Sequence, residues 1–108
     1  MIYRRLGKTG LNVSVIGIGT YQFSGEWGQT FKEKEVNSIL LKGKELGVNL
    51  IDTAASYGDH LSEELIGKTI QRNRLHWIIA TKFGNCFSQA QRNSSTNFSL
   101  HNVRIQLE

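Results

Sequence analysis

Apolar and polar positions follow two rhythms along this chain. Three short apolar runs, Val13-Ser-Val-Ile-Gly-Ile-Gly19, Val48-Asn-Leu-Ile51 and Trp77-Ile-Ile-Ala80, end abruptly at Thr20, Asp52 and Thr81-Lys82. Runs of this length, bounded by turn or polar residues, read as buried strands. Their ends fall near residues 19, 51 and 81, a repeat of about thirty residues that matches one βαβ step. Between the runs the period lengthens to that of a helix. Val36, Ile39, Leu40 and Gly43 share one helical face, and Leu61, Leu65, Ile66 and Ile70 share another. Thr30-Phe-Lys-Glu33 has the capping-box pattern that opens a helix, and Gly47 suits its end. Asp59 or Ser62 can cap the second helix, whose first turn holds Glu63 and Glu64 where the helix dipole favours negative charge. A third helix is predicted from near Ser99, with Leu100, Val103 and Leu107 spaced for burial, and residues 1–15 read as a hairpin around Gly7-Lys-Thr-Gly10. The order is ββ followed by three βα steps.

Parallel strands joined in this way carry their C-terminal ends on one face, which in βα barrels is the face of the active site. Asp52, Tyr57 and Lys82 gather there. Each has a plainer reading when taken alone. Asp52 and Lys82 would be a structural ion pair across neighbouring strands, and Tyr57 a half-buried loop aromatic. Their joint appearance, with Gly58 and the Ser62-Glu63 helix start in register, favours chemistry: a phenol beside a cation can hand its proton to another oxygen.

Arg5-Leu-Gly-Lys-Thr-Gly10-Leu-Asn-Val-Ser, Ile16-Gly-Ile-Gly19-Thr20-Tyr-Gln-Phe, Asp52-Thr-Ala…Tyr57-Gly58…Ser62-Glu63…Ile66-Gly67 and Ile79-Ala-Thr-Lys82 follow one another in order. Together they resemble the N-terminal third of an aldo-keto reductase. The resemblance implies an α/β fold: an N-terminal hairpin (residues 1–15) plus about three βα units (16–108) of a (β/α)8 TIM barrel, incomplete within this chain. It implies an NADPH-dependent oxidoreductase that reduces an aldehyde or ketone to an alcohol. Tyr57 would protonate the carbonyl oxygen, assisted by Lys82, and Asp52 would pair with Lys82. Gly19, Thr20, Tyr21 and Asp52 would line the nicotinamide end of NADPH, and Trp27 a substrate pocket. The family's fourth catalytic residue, a histidine at the end of the fourth strand, has no counterpart here. His60 begins a helix, His76 precedes the third strand at the end opposite Lys82, and His101 follows a helix cap.

A complete barrel of this kind takes about 250 residues, whereas this chain has 108. The expectation is therefore either a part of a longer polypeptide or a truncated product that needs a partner: the remainder of a barrel or a homologous chain. A non-catalytic interaction module of the same ancestry is the alternative reading. Composition narrows the classes further. The net charge of +4 arises from basic residues scattered along the chain, too diffuse for a nucleic-acid surface. No apolar run approaches the ~20 residues of a membrane span. The start, Met1-Ile-Tyr-Arg-Arg, has no signal-peptide core after it. A single cysteine, Cys86, cannot form an internal disulfide and is read as an inert thiol, which suits the cytoplasm. Gly17-Ile-Gly19 is no dinucleotide fingerprint, because Gln22 stands where a third glycine belongs. No metal site is predicted, and Ser88–Asn97 reads as a polar loop on the catalytic face.

Overall fold

In the computed structural model, residues 1–88 and 93–107 are described. β1 (Tyr3–Arg5) and β2 (Asn12–Ser14) pair antiparallel, with Tyr3 opposite Ser14. β3 (Ile18–Gly19), β4 (Leu50–Asp52) and β5 (Ile78–Ala80) then form a parallel sheet in sequence order. The register sets Ile18 beside Ile51 and Ile51 beside Ile79, so Gly19, Asp52 and Ala80 come level at the C-terminal edge. The strand ends expected from the sequence are therefore neighbours in space.

α1 (Glu33–Glu45) and α2 (Leu61–Ile70) cover one face of this sheet. Val36 and Leu40 from α1 meet Leu65, Ile66 and Ile70 from α2 over Ile51, with Phe23, Val48 and Trp77 closing the cluster. Burying an aliphatic side chain of this size contributes about 1.5–3 kcal/mol, which makes this cluster the main support of the strand ends. Gly43 lets α1 lie close: a Cβ there would stand 2.6 Å from Ile18 Cδ1. Ile39, expected on the same face as Val36 and Leu40, is instead 38% exposed.

The N-terminal hairpin hooks onto the opposite end of β4. Asn49 accepts from the Ser14 N–H at 2.8 Å, donates from Nδ2 to the Asn12 carbonyl at 2.9 Å, and donates its own N–H to Ser14 Oγ at 3.1 Å. Tyr3 adds a hydroxyl bond to the Gly47 carbonyl at 2.7 Å. The hairpin thus sits at the N-terminal end of the strands, away from the catalytic candidates.

Four local expectations change. α1 starts at Glu33 behind Lys32, whose N–H is taken by Glu35 Oε2 at 2.8 Å, so Thr30 lies outside the cap. Ser62 lies inside α2 with its hydroxyl buried, and His60 precedes the helix in the left-handed region at φ 70°. The stretch read as a polar loop, Ser88–Asn97, instead contributes to a strand pair: β6 (Asn85–Ser88) and β7 (Asn93–Thr96) run antiparallel. α3 (Leu100–Leu107) forms where Ser99 caps it, accepting the Asn102 N–H at 3.2 Å, yet Leu100 stays 68% exposed. The expectations for the Cys86 thiol, the Leu107 side chain and residues 89–92 fall outside the described residues.

Candidate active site

The chain leaves β4 at Asp52 and turns through residues 53–60 before entering α2. It leaves β5 at Ala80 and reaches Lys82 two residues later. Two backbone bonds carry the sheet pairing past the strands: Thr53 N–H to the Ala80 carbonyl at 2.9 Å, and Ala55 N–H to the Lys82 carbonyl at 3.4 Å. This pairing brings Asp52, Tyr57 and Lys82 together. Lys82 Nζ donates to Asp52 Oδ1 at 2.5 Å, to the Thr53 carbonyl at 3.0 Å and to Tyr57 Oη at 3.3 Å. An ammonium has three N–H donors and no acceptor, so all three are used. Tyr57 Oη can only accept from Lys82, which leaves the phenolic proton free to point elsewhere. The Asp52 carboxylate is the main cause that raises the Lys82 pKa, with Tyr57 adding to it and partial burial opposing it. The cation is accordingly fixed across the neutral range.

The loop that carries Tyr57 needs unusual backbone. Gly58 has φ +67°, and a Cβ there would meet the Ser24 carbonyl oxygen at 2.5 Å. Asp59 and His60 follow at φ 51° and 70°, a region costly for residues with side chains. Bonds from the Tyr57 N–H to the Ala54 carbonyl at 3.1 Å and from the His60 N–H to the Ala55 carbonyl at 2.8 Å close the loop on itself.

Beneath the charged trio lies a buried chain of hydroxyls. Thr20 Oγ1 donates to the Asp52 carbonyl at 3.0 Å, and Ser62 Oγ donates to Thr20 Oγ1 at 3.0 Å. Ser62 also lies 3.1 Å from the Thr20 carbonyl and 3.1 Å from Thr53 Oγ1. Because a hydroxyl has one proton, and that of Ser62 is given to Thr20, Thr53 must be the donor to Ser62. All three residues are buried.

The other predicted residues take different places. Thr20, expected to face the cofactor, has its side chain turned wholly inward. Gly19 lies at the surface, and a Cβ built on it meets nothing within 4 Å. Tyr21 packs edge-on against Tyr57 with centroids 5.1 Å apart, and Trp27, largely exposed, packs edge-on against Tyr21 at 6.3 Å. Glu26 beside the Tyr21 phenol raises its pKa. His76 bonds the Val48 carbonyl at the far end of the sheet, and His101 is exposed on α3. His60 Nδ1 donates to Glu63 Oε2 at 2.8 Å, and Thr81 Oγ1 donates to Glu63 Oε1 at 2.7 Å. The parts played by Thr53, His60 and Thr81 are not visible in the sequence; only the position of each beside a motif residue could have drawn attention to them. Among the described residues, no group of three metal-ligating side chains occurs and no helix is long and apolar enough to cross a membrane.

A nicotinamide cofactor fits the chemistry of this face. Open space beside Gly19 adjoins the half-exposed Asp52 carboxylate and the Tyr21–Tyr57 ring pair. A flat ring could lie against the glycine, and a carboxylate can accept from ribose hydroxyls.

The sequence matches the Aldo/keto reductase family over residues 15–108. It is 34% identical to L-galactose dehydrogenase of Arabidopsis thaliana across 97% of this chain and 34% of that protein. A Bacillus halodurans aldo-keto reductase, solved in its holo form, superposes with a TM-score of 0.86 at 31% identity, covering 99% of this chain and 34% of that one. A Klebsiella pneumoniae aldo-keto reductase in complex with NADPH matches 67% of this chain and 24% of its own length, with a TM-score of 0.57 and 28% identity. The chain thus spans about a third of the length of these full-coverage relatives.

Proposed function

Since the chain belongs to the aldo/keto reductase family, a family of oxidoreductases, we propose that it carries the proton-donating part of an NADPH-dependent reduction of an aldehyde or ketone. The observation that carries this reading is the saturated ammonium of Lys82. Its third N–H points at Tyr57 Oη at 3.3 Å, so the phenolic proton is left for a substrate oxygen. As that proton departs, the oxygen gains negative charge beside a cation that Asp52 keeps in place. NADPH, when bound, supplies the hydride. Gly19, Tyr21 and Asp52 would hold its nicotinamide end, and Trp27 would border the carbonyl substrate. The NADPH complex of the Klebsiella pneumoniae relative supports this choice of cofactor. A cytoplasmic setting agrees with the single cysteine.

The three parallel strands form an open arc, so we assign turnover to the arc completed by further barrel strands and not to these 108 residues alone. In the completed barrel, Tyr57→Phe should lower kcat by about 10²–10⁴-fold while leaving NADPH affinity, read by fluorescence titration, nearly unchanged. Binding lost as severely as turnover would overturn the assignment. Carbonyl-dependent NADPH oxidation by the 108-residue chain alone would overturn the need for completion.

One feature favours a second reading, a non-catalytic module that pairs with a homologous chain. An apolar groove of about 440 Å³, lined by Ile66, Ile70 and Ile79, opens between α2 and β5. A stable oligomer of the chain without reductase activity is what that reading requires.

A further inference from the structure

The distance between the proton donor and its cation has to be set by something, and the backbone does so only in part. Pairing between the β4 and β5 segments weakens outward, from 2.9 Å at Thr53–Ala80 to 3.4 Å at Ala55–Lys82. Tyr57 and Lys82 approach each other at this loosening end. Tyr57 also lies on a loop with two consecutive non-glycine residues at positive φ, a conformation that persists only where its surroundings impose it.

Glu63 stands across the gap. A carboxylate in the first turn of a helix ordinarily needs only the helix dipole and water. Here each oxygen is committed to a different element. Oε2 accepts from His60 Nδ1 at 2.8 Å, and Oε1 accepts from Thr81 Oγ1 at 2.7 Å. His60 closes the Tyr57 loop through its N–H bond to the Ala55 carbonyl at 2.8 Å, so holding its ring holds the loop as a body. Thr81 is the residue before Lys82. The Glu63 side chain is only 29% exposed, and hydrogen bonds to an ionised acceptor are roughly twice as strong as neutral ones.

We infer that Glu63 is a positioning residue, a clasp that joins the loop bearing Tyr57 to the segment bearing Lys82 and thereby fixes the contact between phenol and ammonium. Its effect on turnover rests on the reading of Tyr57 as the acid, whereas its effect on the contact does not. The clasp acts on the donor–cation geometry and touches no part of the open face beside Gly19. Losing it should therefore strike the chemical step and spare substrate binding.

The contact can be read directly by NMR of the 108-residue chain, as the nuclear Overhauser effect between the Tyr57 ring protons and the Lys82 ε-methylene. Glu63→Ala should abolish it. Glu63→Gln should retain it, since an amide can still accept from Thr81 and donate to the imidazole in its other tautomer. In the completed barrel, Glu63→Ala should lower kcat by about ten- to a hundredfold with KM little changed, and Glu63→Gln should recover most of that loss. An undiminished contact in Glu63→Ala, or a Gln variant as damaged as the Ala variant, would overturn the clasp. Should Glu63→Ala fail to fold by circular dichroism, Thr81→Val replaces it, removing one arm at an exposed position, and the same two outcomes decide. A contact that depends on Glu63 in a barrel that reduces no carbonyl would reject the proposed function and leave the clasp standing.

Discussion

Two polar clusters meet at Asp52 and Thr53, and they are built on opposite plans. The lower one, Thr53–Ser62–Thr20, is neutral, buried and ordered by proton count into a single direction ending on the Asp52 carbonyl. The upper one, Asp52–Lys82–Tyr57, is charged, and its ion pair is about half-exposed, at 54% for Asp52 and 52% for Lys82. Hydroxyls can be buried at little cost when each finds a partner, whereas buried charges are expensive even when paired. The division of labour follows: the neutral cluster secures the backbone, and the charged one stays near water. The two share neighbouring carbonyls, since that of Asp52 receives Thr20 and that of Thr53 receives Lys82. Rigidity below is thus passed to geometry above without burying an ion.

Substitutions can break this contrast. Ser62→Ala should have the largest effect on stability, because it cuts the hydroxyl chain in the middle and strands the buried Thr53 proton. A loss of about 1–3 kcal/mol is expected from urea unfolding, and an unmoved midpoint would remove the scaffold role. Thr53→Val removes only the first donor and keeps the shape, so it should cost about 1 kcal/mol; a larger loss than Ser62→Ala would reverse the inferred proton order. Asp52→Asn should change stability least, by less than about 1 kcal/mol, as exposed pairs generally do. Its signature is electrical. The Lys82 pKa, raised above 10.5 chiefly by Asp52, should fall back toward that value, as followed by the shift of its ε-methylene. In sign, the wild-type pair contributes stability that is fully present below about 10.5, the ordinary lysine value in the unfolded chain, and is lost as pH rises through the higher folded-state value. A stability difference between wild type and Asp52→Asn that persisted well above that window would contradict the pairing.

Much of the scaffold was legible because periodicity reports burial. Ile51, Val36, Leu40, Ile66 and Ile70 stand in the core where the two rhythms put them, and the strand ends at Gly19, Asp52 and Ala80 align as their thirty-residue spacing implied. Asp52, Tyr57 and Lys82 could be picked out because motif residues at matching strand ends must converge. What escaped was set by tertiary contact. Ser62 reads as a cap because a hydroxyl before a helix usually is one, and only the packing of α2 on β3 and β4 turns it inward. The β6–β7 pairing was hidden by its composition, Asn-Cys-Phe-Ser against Asn-Ser-Ser-Thr, which has no alternation of apolar and polar residues. Leu100 and Phe98 have the apolar character of core residues yet remain about two-thirds exposed, since a periodic face shows what a helix can bury and not what is there to bury it. Glu63 was seen as a dipole partner and as part of the helix-start motif; its bond to His60 is local, and the one to Thr81 joins segments 18 residues apart.

The saturated ammonium of Lys82 has one further consequence. An amine reacts with acylating reagents through its free lone pair, and Lys82 has little occasion to show one: its three protons are bonded and its pKa is raised. Among the described residues, Lys42 makes one such bond, to a neighbouring surface glutamate, where Lys82 makes three. Half in solvent yet chemically withheld, it is a charge that lysine modification would pass over until Asp52 let it go.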